Sequence, residues 1–274
     1  MAHRQTAVIV PGVSPDVLPW DKYTVPAMSY KYFPPERFHV LTDCLVRFSQ
    51  RQVFEDMLEL QPEVAKFGNA DEMRAFFDIN PALSRHPIWL REAVINHVLR
   101  TPGREAALIE QTRRWLTTPN EFGVLCFAEY PTSDAMWTEY AGNGRGFVVA
   151  FETTHSTFNL LQSPGRLGKV EYTDRPISSF LSAYGPNALF QKRTKYEFES
   201  EWRSIRHFSR FLPENVITPL SGHPIYLAPF DPACISAIFI QHRCTVEWQI
   251  RTLAAIDARY RHVQVVFSLP VLTK

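Results

Sequence analysis

The sequence predicts an α+β fold of mixed, mostly antiparallel small sheets around a cleft, with a helical insertion. Three observations carry that expectation. Short apolar or alternating runs bounded by proline, glycine and asparagine recur toward the C-terminal half, as strands do. A block at about 56–120 instead spaces its apolar residues three and four apart, as helices do. The composition, 45% hydrophobic with 13% aromatic over 274 residues, is enough for a real core.

The elements follow in order. Residues 1–27 are rich in proline and read as an extended segment, ahead of an α+β domain at 28–274. A strand at Met28–Phe33 is stopped by Pro34 and Pro35. The run "DCLVRFSQRQVFEDMLEL" begins as a strand through Phe48 and turns helical from about Gln50, with the junction at Ser49. Within the helical block, "DEMRAFFDI", "PIWLREAVINHVL" and "REAALIEQTRRWL" each show one apolar face, and no linker flanks them, so the block reads as an insertion. Then "EFGVLCFAEY" reads as a buried strand, "SDAMWTEYAG" as a short helix closed by Gly142 or Gly144, and "GRGFVVAFE" as a strand. "GRLGKVEY" adds a strand and "SSFLSAYGPNALFQKR" a helix. Strands at "ENVITPL", "PIYLAPF" and "ISAIFI", a helix in "TVEWQIRTLAAIDARY" capped by Thr245, and a last strand "HVQVVFSL" complete the chain.

Bulk charge narrows the function classes. With 29 Lys and Arg against 28 Asp and Glu, no global field draws in nucleic acid or an anionic membrane. Cys44, Cys126, Cys234 and Cys244 show neither a C-x-x-C nor zinc-ligand spacing, and they read as reduced thiols, which favours the cytoplasm. The opening residues lack a signal peptide's apolar run, and no stretch is long enough to span a bilayer. The histidines follow no metal pattern, and His242 in "QHRC" offers at most an anion contact at a turn. No metal is expected.

Two stretches carry candidate chemistry. In "YEFESEWR", Glu197, Glu199, Glu201 and Arg203 alternate with Tyr196, Phe198 and Trp202. As a strand, the carboxylates would face a common cleft and the aromatics the core. As a helix, the charges would pair along the surface and be structural. Closely spaced carboxylates raise one another's pKa, and an arginine keeps one of them ionised, so Glu199, Glu201 and Arg203 are candidate catalytic groups. In "MWTEYAGNGRGFVVAF", Trp137 and Tyr140 share a helix face beside a glycine-rich turn. Either they pack on a core, or they and the turn's N–H groups receive a ring-bearing, phosphate-bearing ligand.

Taken in order, "YKYF", "LVRFSQRQVFEDMLE", "VLCFAEYPTSDAMWTEYAGNGRGFVVAF", "KVEY", "QKRTKYEFESEWR" and "FDPACISAIFIQHR" resemble a bacterial and phage family known as domain of unknown function 2971. The matched positions are Lys31, Tyr32, Ser49, Phe54, Asp56, Trp137, Tyr140, Gly146, Lys192, Glu199, Glu201 and Arg203. Glu55, Ala128 and Tyr196 stand where that family has asparagine, serine and tryptophan. The order of parts is also similar to the ADP-ribosyltransferase superfamily. That resemblance implies NAD as substrate, Lys31 or Tyr32 on its phosphates or ribose, and aromatics such as Trp137 and Tyr140 around the nicotinamide. It also implies that Ser49 braces a glutamate, Glu201 or Glu199, which holds the ribose hydroxyl. The acceptor would be a nucleic acid or a protein, in a bacterial toxin or phage-defence setting. Two other readings stay open: a non-catalytic module that binds a nucleotide or a partner, and a nuclease holding a divalent ion on Asp56, Glu199 and Glu201.

Overall fold

The structure, a computed structural model, describes residues 23–54, 65–80, 82–116, 122–157, 167–175, 190–220, 222–241 and 243–268. It is α+β, with mostly antiparallel sheets. In chain order the elements are β1 (Met28–Phe33), α1 (His39–Asp43), β2 (Leu45–Phe48), α2 (Ala70–Ile79), α3 (Ile88–Arg100), α4 (Arg104–Leu116), β3 (Phe122–Ala128), α5 (Asp134–Tyr140), β4 (Phe147–Glu152), β5 (Gly168–Lys169), β6 (Glu171–Tyr172), β7 (Gln191–Lys192), β8 (Glu201–His207), β9 (Val216–Ile217), β10 (Ile225–Pro229), β11 (Ile235–Gln241), α6 (Val246–Arg259) and β12 (Gln264–Ser268).

The chain divides into two compact units. One contains α2, α3 and α4. Its core is Met73, Ile95 and Val98, with Phe67, Phe77 and Leu108 packed around them. Helix α2 starts at a capping box: Asn69 Oδ1 accepts from the Glu72 N–H at 2.8 Å, and the Glu72 carboxylate accepts from the Asn69 N–H at 2.7 Å. The other unit, residues 23–59, 119–172 and 192–274, contains the sheets that position the candidate site.

Its main sheet has seven strands in the order β12-β11-β4-β1-β3-β8-β5, and a second sheet has the order β2-β10-β9. Only β11 and β12 pair in parallel within the main sheet, joined through α6, whose Thr245 cap accepts from the Trp248 N–H as expected. Strand β1 pairs with β4 along its whole length, from Met28↔Glu152 to Phe33↔Phe147, and Pro34 ends it. Alternation on these strands feeds two cores. Phe33, Phe127, Phe147, Phe151 and Trp202 face the larger one, and Tyr32, Ala128 and Val148 face Met136 and Trp137 of α5.

Strand β3 holds the layout together. Along one flank it pairs with β8 from Phe122↔His207 to Ala128↔Glu201. Its other flank is shared: Ala128 pairs with Tyr30 of β1, and Val124 exchanges both backbone hydrogen bonds with Ser49, just past β2. Between those points β1 and β2 part, and the Cys126 carbonyl faces the fork.

After α5 the chain reverses through Gly142, Asn143 and Gly144, all at positive φ. At Gly146 an added Cβ would stand 2.0 Å from the Phe33 carbonyl oxygen. Gly146→Ala is therefore expected to destabilise the sheet-bearing unit by about 3 kcal/mol, since backbone must shift to relieve the overlap. Urea unfolding of the two proteins measures this, and an unchanged midpoint would show that the β1–β4 end yields freely.

Candidate functional site

The segment at 194–207 is neither a single strand nor a single helix. Thr194–Glu199 wind into a 3₁₀ turn, Ser200 adopts the left-handed conformation (φ 42°, ψ 55°), and β8 begins at Glu201. The reversal at Ser200 brings Glu199 and Glu201, two residues apart across a joint, to the same cation. Lys192 Nζ donates to Glu199 Oε2 at 2.5 Å and to Glu201 Oε2 at 3.2 Å. Glu197 and Phe198 are exposed, so the charged and aromatic sets are not sorted onto two faces.

Glu201 and Arg203 lie on one face of β8 and form a two-pronged ion pair. Arg203 Nε donates to Glu201 Oε1 at 2.7 Å and Nη2 to Oε2 at 3.1 Å. Arg203 is 0% exposed, and the side chains of Glu201, Glu199 and Lys192 are 3%, 4% and 7% exposed. Tyr140, 40% exposed at the end of α5, closes the cluster by donating its hydroxyl to Glu199 Oε1 at 2.6 Å. The Tyr172 hydroxyl accepts from the Glu201 backbone N–H at 2.8 Å, and the Cys126 thiol hydrogen-bonds the Glu201 carboxylate.

The two carboxylates are driven apart electrostatically. Burial alone would raise Glu201, but the charges of Arg203 and Lys192, with hydrogen bonds from Arg203 and Cys126, hold it well below the usual carboxylate range. Burial and the negative charge of Glu201 push Glu199 up to about 7, against Lys192 and the Tyr140 hydrogen bond. Burial and the neighbouring Glu199 raise Tyr140, so its phenol keeps its proton. Chemically, the cluster is a fixed anion beside a carboxyl able to exchange a proton near neutrality.

The structure thus brings Glu199, Glu201, Arg203 and Tyr140 together, and adds Lys192, Tyr172 and Cys126. Lys192 belonged to the matched motif, but no role for it was legible. The other expected site residues make no hydrogen bond to the two carboxylates, although the charge of Glu201 acts on Lys31. Lys31 shares its strand face with Phe33, stands 5.8 Å and 5.9 Å from the Phe33 and Phe127 ring centroids, and donates to the Cys126 carbonyl at 2.7 Å. Tyr32 donates to the Tyr130 carbonyl and meets Trp137 edge-on at 5.5 Å, while Trp137 is bonded to the Pro131 carbonyl. Both are core residues of the α5 face. Ser49 pairs with Val124, four residues along β3 from the Ala128 that pairs with Glu201, roughly 13 Å away at the rise of a strand.

The glycine turn offers no phosphate cradle of N–H groups. Asn143, Gly144, Arg145 and Gly146 donate theirs to Thr138, Trp137, Gly142 and Ala141. The Cys244 thiol, 3.0 Å from the Arg145 carbonyl, and Arg243, on Asn143, tie the turn down. Asp56, Glu55 and His242, and the helix expected in "SSFLSAYGPNALFQKR" through residue 189, fall outside the described residues. Among the described residues no group of three or more His, Cys, Asp and Glu side chains is placed to hold a metal ion, and no helix is long and apolar enough to cross a membrane.

No family model, curated protein or solved structure matches the chain. What the cluster does must therefore come from its own chemistry.

Two outcomes follow. Arg203→Ala leaves Glu201 buried without its partner and is expected to cost about 3–5 kcal/mol in denaturant unfolding; a loss within error would mean that water reaches the pair. Stability should also depend on pH with opposite signs at the two carboxylates. The folded pKa of Glu201 is depressed, so its contribution is present above the unfolded value near 4.5 and lost as pH falls below it. That of Glu199 is raised, so its contribution is present below about 4.5 and lost as pH rises toward about 7. Melting temperatures across that upper window should fall less steeply in Glu199→Gln than in the wild type, and identical slopes would contradict the raised value.

Proposed function

We propose that this protein is an ADP-ribosyltransferase-like enzyme that consumes NAD and modifies a nucleic acid or protein, in a bacterial toxin or phage-defence setting. The observation that supports this reading best is the pair Glu199–Glu201, two buried carboxylates sharing Lys192 and pushed toward opposite protonation states. The ordered resemblance in its sequence supports the substrate class and the setting.

Cleavage of the bond between ribose and nicotinamide sends the bonding pair to the leaving ring and develops positive charge on the ribose. A fixed nearby carboxylate stabilises that charge more than it stabilises the ground state. Glu201 has both oxygens engaged by Arg203 and Lys192 and serves as the permanent anion. Glu199 meets the substrate: Tyr140 is the exposed member of the cluster, and a ribose hydroxyl replacing the Tyr140 hydroxyl would donate to Glu199 Oε1. An acceptor lone pair then forms the new bond at the ribose carbon, and its proton passes to Glu199. The nuclease reading has less support, because Lys192 and Arg203 already occupy carboxylate lone pairs that a divalent ion would need.

Nicotinamide release from NAD, measured on wild type and Glu199→Gln, tests the proposal. Release is expected to fall at least about 100-fold in the variant. In the wild type it should rise with pH through about 7, as Glu199 loses its proton. Absence of both NAD binding by calorimetry and nicotinamide release from the folded wild type would overturn the reading.

A further inference from the structure

The two edges of the seven-stranded sheet are built differently. At one, β5 is only Gly168–Lys169, a short strand with a lysine, which blunts that edge. At the other, β12 is QVVFS, a run without a charge or a proline, paired with β11 in unbroken register from Ala237↔Gln264 to Gln241↔Ser268. Among the described residues no strand takes its outer side, and Phe267 is 48% exposed there. Open backbone donors and acceptors flanked by apolar side chains are a template for a further strand.

Helix α6 widens this surface. Val265 and Phe267 pair with Ile238 and Ile240, so they lie on the face of the larger core, which α6 covers with Trp248, Ile256 and Tyr260. Two contacts mark the flank of α6 that is turned toward the middle of the sheet: Trp248 meets Phe147 of β4 at 5.6 Å, and Arg251 sits 4.4 Å over the ring of Phe38, just past β1. At about 100° per residue, Val246 and Leu253 stand on the opposite flank, toward β12, with Ile250 beside them. These three are 71%, 40% and 62% exposed. Apolar residues at i, i+4 and i+7 beside an open apolar edge make one continuous surface rather than scattered exposure.

The edge is complementary to itself. Set antiparallel to a second copy with Val266 opposite Val266, β12 brings Val265 against the second copy's Phe267 and keeps both on the α6 face. No like charges meet, because the strand carries none. The twofold axis is then perpendicular to the sheet, which puts both α6 helices on one face of the joined sheet with their apolar flanks toward each other. The contact occupies the β12 edge of each copy, so the assembly closes at two chains.

We propose that β12 and the adjoining flank of α6 form a dimer interface whose partner is a second copy of this chain. The proposal stands apart from the NAD-consuming reading.

Sedimentation of the full chain over a range of concentrations tests it. The wild type should reach twice the 31.6 kDa of one chain, and Phe267→Lys and Ile250→Glu, both at exposed positions, should each raise the dimer dissociation constant at least about tenfold. Trp89→Lys, also at an exposed position but in the unit of α2, α3 and α4, should leave it unchanged. Hydrogen exchange needs no variant: the β12 amides should gain protection as the wild type is concentrated. The proposal is overturned if the folded wild type stays a monomer at about 100 µM, if it grows past two chains, or if β12 protection does not change with concentration. It is equally overturned if both interface variants dimerise unchanged, or if Trp89→Lys weakens the dimer as much as they do. A monomer whose β12 edge accepts only a foreign strand would overturn it as well.

Discussion

The arrangement depends on one buried contact, the two-pronged pair between Arg203 and Glu201. Both side chains are out of water, so each charge leans on the other, and Lys192 adds a second cation on Glu201. That requirement helps fix the register of β8 on β3, with Arg203 opposite Cys126 and Glu201 opposite Ala128. A slip by one residue would turn the pair toward Phe127 and the aromatic core, and would turn Trp202 out of it. Once Glu201 is held as an anion, Lys192 has a second carboxylate to serve, and Glu199 becomes the group whose proton is in play.

Much of the fold was legible because it rests on local chemistry. Pro34 and Pro35 stop β1, Thr245 caps α6, and the spacing of apolar residues between 70 and 116 gives three helices. The joint at 194–201 was not legible, because alternating charges fit both a strand and a helix, whereas the chain uses a tight turn and then a strand. Periodicity assumes one conformation across its window, and Ser200 breaks that assumption. Lys31 shares strand parity with Phe33, so its stem runs with the core aromatics while its ammonium reaches the Cys126 carbonyl. The N–H groups of the glycine turn were spoken for because the end of α5 needed donors for its own carbonyls.

Strand β3 carries charge on both flanks. On the β8 side, carboxylates and cations neutralise one another; on the other, the Lys31 ammonium rests on the Cys126 carbonyl and feels the Glu201 charge. Cys126 belongs to both, with its thiol on the Glu201 carboxylate and its backbone carbonyl on the Lys31 ammonium.

The left-handed turn at Ser200 also bears on how this segment can drift. The middle position of Glu199-Ser200-Glu201 is a conformational gate rather than an open letter. Glycine, asparagine and aspartate can occupy it at little strain, while valine, isoleucine or threonine would be forced out of their allowed backbone region. Descendants of this chain must therefore keep a small, turn-tolerant residue between the two glutamates for both to remain on one lysine.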